Sequence, residues 1–171
     1  MKPKGRTPPG GRNRNARGAR PLPIGSAYGH AHCLLCGHRN PWSLKLHFAP
    51  RPNGAVSACI TVDRRLQGYE GIVHGGVIAA LLDAAMTNCL FRHGVKAVTA
   101  DLHVRFVESI PVGTGLVICA WIVRSMPRLH LVRSELAFGG RVAAWAEAKF
   151  TMPRFPHRQS TASVSACVLP P

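Results

Sequence analysis

The residue types that can do chemistry are concentrated in Gly71-Ile72-Val73-His74-Gly75-Gly76 and in an acid a little further on, Asp83. From Gly75 to Arg92 there is no proline and no glycine beyond the Gly75-Gly76 pair, while Ala, Leu and Met dominate, so this stretch reads as a helix that starts on two glycines. Backbone N–H groups at such a start are unblocked by side chains and lie at the positive end of the helix dipole, where they can polarise a carbonyl oxygen. That is the requirement of an oxyanion hole. A tight turn and a close approach to a sheet are the other use of the same pair. Asp83 follows His74 by nine residues, about two and a half helical turns, among Leu81, Leu82, Ala84, Ala85 and Met86. A carboxylate in such surroundings must face a cleft or have a partner. It is either a nucleophile or general base at a substrate groove, or a structural hydrogen-bond acceptor that holds a loop. Thr99, at the start of the next extended segment, is in position to offer a hydroxyl to that acid, although strand threonines also serve β propensity.

Two further groups invite a chemical reading. Arg105, Arg124, Arg128 and Arg133 fall on predicted strands and turns, where the ordinary role is solvated surface and the alternative is to hold phosphates at a groove mouth. Cys33-Leu34-Leu35-Cys36-Gly37-His38, with His30 and His32 just before it, has zinc-like spacing. No second, well-spaced Cys or His pair follows it, so the expectation is that no metal is bound; a redox dithiol would need a βαβ setting that the pattern lacks.

These residues must be positioned by a chain of 171 residues, enough for one domain with tails. Hydrophobic residues make up 46% and charged residues 17%, which excludes global disorder. Lys and Arg number 22 against 7 Asp and Glu, a formal charge of +15 that points to an anionic partner such as nucleic acid, a membrane surface or a phosphorylated cofactor. Residues 1–27 carry +7 of this with no acid and no apolar periodicity, so they are expected to be a disordered basic tail, leaving +8 for the rest. They are neither amphipathic and Ser-rich, as import sequences are, nor provided with the apolar core of a secretory signal. The tail is expected to be plain solvated basic chain, and nucleic acid is not the expected partner. No apolar stretch is long enough to span a bilayer, since the run Ile110 to Val123 is broken by Pro111, Gly113 and Gly115. Cys59, Cys89 and Cys119 each sit singly in apolar segments, which fits a reducing, cytoplasmic setting.

Extended segments are predicted at Leu44 to Phe48 and Ala55 to Val62 before the helix, and at Ala97 to Val107, Leu116 to Arg124, Leu129 to Phe138 and Val142 to Met152 after it, with Gly94 as the helix stop. Pro111/Gly113/Gly115, Pro127 and Gly139-Gly140 supply the turns between the later strands. The helix is apolar around most of its circumference and must be covered on nearly every side. The fold class expected is α+β, a curved antiparallel sheet wrapped around one long central helix over residues 28–152, with 153–171 as a loose C-terminal tail.

The run Gln67-Gly68-Tyr69-Glu70-Gly71-Ile72-Val73-His74-Gly75-Gly76-Val77-Ile78-Ala79-Ala80-Leu81-Leu82-Asp83-Ala84-Ala85-Met86, together with Cys33-x-x-Cys36-Gly37-x-Arg39-Asn40-Pro41, resembles the hotdog-fold acyl-CoA thioesterases, in the branch of the phenylacetate-pathway and human thioesterase-superfamily enzymes. The likeness extends over roughly residues 33–152. It implies hydrolysis of an acyl-CoA thioester without metal or redox cofactor, with Asp83 as nucleophile or as base on water and Thr99 orienting water or the acid. It also implies that His74 positions the thioester and that the Gly75 or Gly76 N–H donates to the oxyanion. Family sites form across a subunit interface, so a homodimer or a dimer of dimers (a homotetramer) is implied. Two positions depart from the pattern. Ala84 stands where the branch often has a second acid, which implies slower turnover if that acid contributes. Trp42-Ser43 follows Pro41 where relatives usually have one residue and then Gly, which bears on the local turn. The Cys-x-x-Cys element recurs in relatives and implies no metal. A second reading is a non-catalytic acyl-CoA-binding protein whose basic tail attaches to nucleic acid or to an acidic surface; an enoyl-CoA hydratase is disfavoured by the Asp/His arrangement.

Overall fold

The computed structural model describes residues 28–152. The segments 1–27 and 153–171, for which tails were expected, lie outside the described residues.

One helix, α1 (Gly75–Arg92), lies against a six-stranded antiparallel sheet, as the sequence pattern predicts. The strands are β1 (Ala49–Pro50), β2 (Val56–Thr61), β3 (Val98–Phe106), β4 (Gly115–Met126), β5 (Leu129–Phe138) and β6 (Arg141–Thr151), ordered β1-β2-β4-β5-β6-β3. The fold is the α+β hotdog. At the helix C-terminus Gly94 takes φ 74°, and its N–H bonds the Phe91 carbonyl while that of Val95 bonds the Leu90 carbonyl. This is the left-handed cap that glycine adopts without strain.

The face of the sheet turned toward α1 carries Ala120, Ala144, Ala146 and Ala148, all buried. Short side chains there let the helix lie close and fill the space with its own large residues. Leu81, Leu82, Met86 and Leu90 are fully buried, each contributing about 1.5–3 kcal/mol of transfer free energy. The helix is not sealed all round. Gly76, Ala80, Asp83 and Thr87 remain partly accessible, and their spacing of three and four residues makes them one stripe.

One expected strand does not form. Residues 44–48 alternate in burial as a strand would, with Leu46 and Phe48 inside and Lys45 and His47 outside, yet the regular strand is only Ala49–Pro50. Lys45 takes φ 55°, and the backbone bonds run instead from the Leu44 and Leu46 N–H groups to the Leu34 and Leu35 carbonyls. The Lys45 ammonium then gathers the carbonyls of Gly37, His38 and Asn40 at 3.0, 3.1 and 2.6 Å. Residues 33–46 are thus a folded loop rather than a hairpin arm.

Candidate active site

The helix start is built by its own histidine. His74 is the N-cap: its carbonyl accepts from Val77 and Ile78, and its ring Nδ1 accepts the Gly76 N–H at 2.9 Å. An accepting Nδ1 carries no proton, so the neutral ring bears its hydrogen on Nε2. His74 is itself held by its N–H on the Leu66 carbonyl, and Val73 by the Ile110 carbonyl. Gly68 lies against the ring, where a Cβ would stand 3.1 Å from a ring carbon. Of the two glycine amides expected to serve a carbonyl oxygen, Gly76 is therefore already engaged. The Gly75 N–H has no partner among the described residues.

Gly75 opens onto two clefts. One, of about 250 Å³, is bounded by Ile72, Ile78, Phe106 and Glu108; the other, of about 380 Å³, by Gly68, Tyr69 and His74. Val73 and Gly75 border both. A third cavity, of about 400 Å³ beside Trp42, Leu44 and Ile60, shares no lining residue with them, and its acid, Asp63, is occupied by Arg65 at 2.7 Å.

Asp83 is half-buried on the accessible stripe of α1, and Thr99 Oγ1 donates to its Oδ1 at 2.6 Å. Burial holds its carboxyl above the usual aspartate range, while the Thr99 hydroxyl and the nearby His30 ring pull the other way. Its Oδ2 has no hydrogen-bond partner among the described residues. Thr99 reaches Asp83 only because β3 is bulged. Thr99 pairs with Phe150, on the helix side, whereas Asp101 pairs with Lys149, on the outer side, and the register shifts between them. Without that extra residue, Thr99 and Asp101 would share a face.

The arginines are placed differently. Arg105 pairs with Trp145, and Arg124 with Leu131 beside Lys149, so both stand on the sheet face turned away from α1 and are not brought to Asp83. Arg128 lies at the β4–β5 turn. None of the three makes an ion pair or hydrogen bond among the described residues, whereas Arg133 lies over Trp145 and faces Glu147 at 3.5 Å. Of the zinc-spaced residues, His30, Cys33 and Cys36 converge beside α1. Two side chains escaped sequence reasoning. Phe106 borders the Gly75 cleft, and its strand periodicity with Val104 could have flagged it. Asn88 is buried five residues after Asp83, and an amide in so apolar a helix was a visible signal.

Residues 70–136 match the thioesterase superfamily. That match takes in α1, β3, β4 and most of β5, and the resemblance is to this superfamily. Over 53 residues, 31% of this chain, it is 40% identical to the acyl-coenzyme A thioesterase THEM4 of Mus musculus, and the match spans about a quarter (23%) of that protein. A solved thioesterase superfamily protein is similar over 67% of this chain and 60% of its own, at 25% identity and TM-score 0.64. A Streptococcus mutans protein solved bound to acetyl-CoA shares the fold over 63% of this chain and 88% of its own, at 21% identity and TM-score 0.60. Among the described residues, no helix is long and apolar enough to cross a membrane.

Proposed function

We propose that the chain hydrolyses acyl-CoA thioesters to free acid and coenzyme A, with Asp83 as the catalytic acid/base. The observation that carries this reading is the Asp83–Thr99 pair: a partly desolvated carboxylate with one oxygen fixed and the other unengaged. Kinship with acyl-CoA thioesterases and with a fold solved around acetyl-CoA supports the substrate class. Water donates a proton to Asp83 Oδ2 as its oxygen attacks the thioester carbon; the carbonyl oxygen, now anionic, accepts from the Gly75 N–H. The C–S bond then breaks, and the proton passes from Asp83 to the departing CoA thiolate. Attack by Asp83 itself, through an anhydride, uses the same atoms.

The two halves of this site come from different copies. Gly75 and Asp83 are eight residues apart on one helix, about 12 Å along its axis. That separation favours a carbonyl held by the amide of one copy and a water held by the acid of another. A homodimer, alone or paired into a tetramer, brings Gly75 of one chain to Asp83 of the other. The five described cysteines are free thiols, which supports a reducing, cytoplasmic setting as part of the same proposal.

The test is thiol release from short, long and aromatic acyl-CoAs by the wild type and by Asp83→Asn. The variant keeps an acceptor for Thr99 and loses the base, so turnover falls ~10²–10⁴-fold with the fold intact. Acyl-CoA binding without thiol release by the wild type would establish the non-catalytic reading instead.

A further inference from the structure

The cluster of His30, Cys33 and Cys36 lies apart from Gly75 and is not used by the hydrolysis. The ligand atoms of the three side chains lie within 4.8 Å of one another, and His30 Nδ1 is 3.9 Å from Cys36 Sγ. Two donors on a tetrahedral zinc, with Zn–S of about 2.3 Å and Zn–N of about 2.0 Å, stand about 3.5 Å apart, so only small side-chain adjustments separate this arrangement from a coordination shell. The expectation of no metal rested on the lack of a second ligand pair downstream. The third ligand lies upstream, in His30-x-x-Cys33-x-x-Cys36, inside a single short loop.

The loop is built as such a site requires. The Leu35 N–H points at Cys33 Sγ at 3.4 Å, and Asn88 Nδ2, from the buried face of α1, points at Cys36 Sγ at 3.7 Å while also holding the Ala84 carbonyl at 2.8 Å. Donors aimed at sulfur favour a thiolate and orient it. Gly37 follows the second cysteine where no side chain fits: a Cβ would collide with the Cys33 backbone and stand 2.7 Å from the Ala31 carbonyl. The Lys45 ammonium ties down the carbonyls just beyond. His30 is set by an edge-on contact with Phe91, and Tyr28 stacks on the same ring at 4.8 Å.

We propose that His30, Cys33 and Cys36 bind a zinc ion, or a cation of similar softness, which clamps the segment from Tyr28 to Leu46 onto the C-terminal half of α1. Two thiolates and one neutral imidazole select zinc over the hard cations. Binding releases the two thiol protons, and a fourth position is left for a donor such as water. Asn88 is one and a half turns from Asp83 on the same helix. The clamp ties this loop to the buried face of α1 through Asn88, without entering the reaction.

The experiment uses the full, untagged chain, purified under reducing conditions, stripped with a chelator and titrated with zinc or cobalt. Expected are about one zinc per chain by elemental analysis and, with cobalt, a thiolate-to-metal charge-transfer band. Both are lost in Cys33→Ser and in His30→Ala and kept in Cys59→Ser and Cys119→Ser, which alter cysteines outside the cluster. Asn88→Ala weakens zinc ~10–100-fold while leaving the stoichiometry unchanged. No uptake by the wild type overturns the proposal whatever the variants do. So do uptake that survives the double loss of Cys33 and Cys36, or a Cys33–Cys36 disulfide that forms in preference to metal binding under the same conditions. Thioester turnover is not the readout, so the clamp and the hydrolysis stand or fall separately.

Discussion

Asp83 carries two opposed influences, and the balance between them sets how it titrates. Burial destabilises the carboxylate and raises its pKa, while the 2.6 Å bond from Thr99 stabilises the charged form and lowers it. A base must be deprotonated to work, so turnover is lost as the pH falls through the pKa of Asp83. Replacing Thr99 with valine keeps the shape and removes the donor, leaving burial unopposed except by His30. In Thr99→Val the acid limb of the kcat/KM profile therefore moves to higher pH, and turnover at the plateau falls ~10-fold because the acid is no longer oriented. A drop in rate with an unmoved acid limb would mean that Thr99 orients something other than Asp83. Asp83 was legible in the sequence because a lone acid in an apolar helix has to be explained. The link to Thr99 was only weakly legible from its place at the strand start, because plain alternation along β3 aims Thr99 outward with Asp101; the bulge that reverses it has no signature in the residues themselves.

At the scale of elements, the helix start does two jobs with two glycines. Gly76 feeds the His74 ring, which caps the helix, and Gly75 keeps a free amide beside the cleft. A Cβ on Gly76 would stand 3.0 Å from His74 Nδ1, so the ring has to give way. In Gly76→Ala the loss of the cap costs about 1 kcal/mol, and the gain from replacing a helical glycine offsets about the same amount. Thermal stability is thus nearly unchanged while thioester turnover falls, and a calorimetric scan beside a rate measurement distinguishes this from simple unfolding. A Gly76→Ala variant of full activity would remove His74 from the site. The helix, its glycine stop and the four strands after it were legible because periodicity and turn residues agree there. Leu44 to Phe48 was misread because its alternating burial is real, yet one left-handed residue, Lys45, sends the backbone bonds to Leu34 and Leu35. Periodicity reports which side chains are inside, not which chain pairs with which.

At the scale of the whole molecule, a single copy leaves its chemistry uncovered. β3 is an edge strand exposed along most of its length, with Leu102 and Phe106 at 37% and 49% accessibility and Val107 just beyond its end at 58%. An edge strand with exposed apolar side chains invites pairing with another chain. Leu102 pairs with Ala148, on the face shared with Thr99 and α1, so a partner seated on this edge also reaches the accessible stripe that holds Asp83. A second copy answers both this exposure and the ~12 Å between Gly75 and Asp83 on one helix. In sedimentation, the chain of 18.4 kDa is expected to run at twice that mass or more. Leu102→Lys places a charge on the edge, a substitution that natural edge strands use to block pairing, while removing no fully buried side chain. It is expected to sediment as a folded monomer and to lose thioester turnover although Asp83, Thr99, His74 and Gly75 are all intact. A monomeric variant that kept full turnover would overturn the two-copy site and mean that one helix supplies both Gly75 and Asp83.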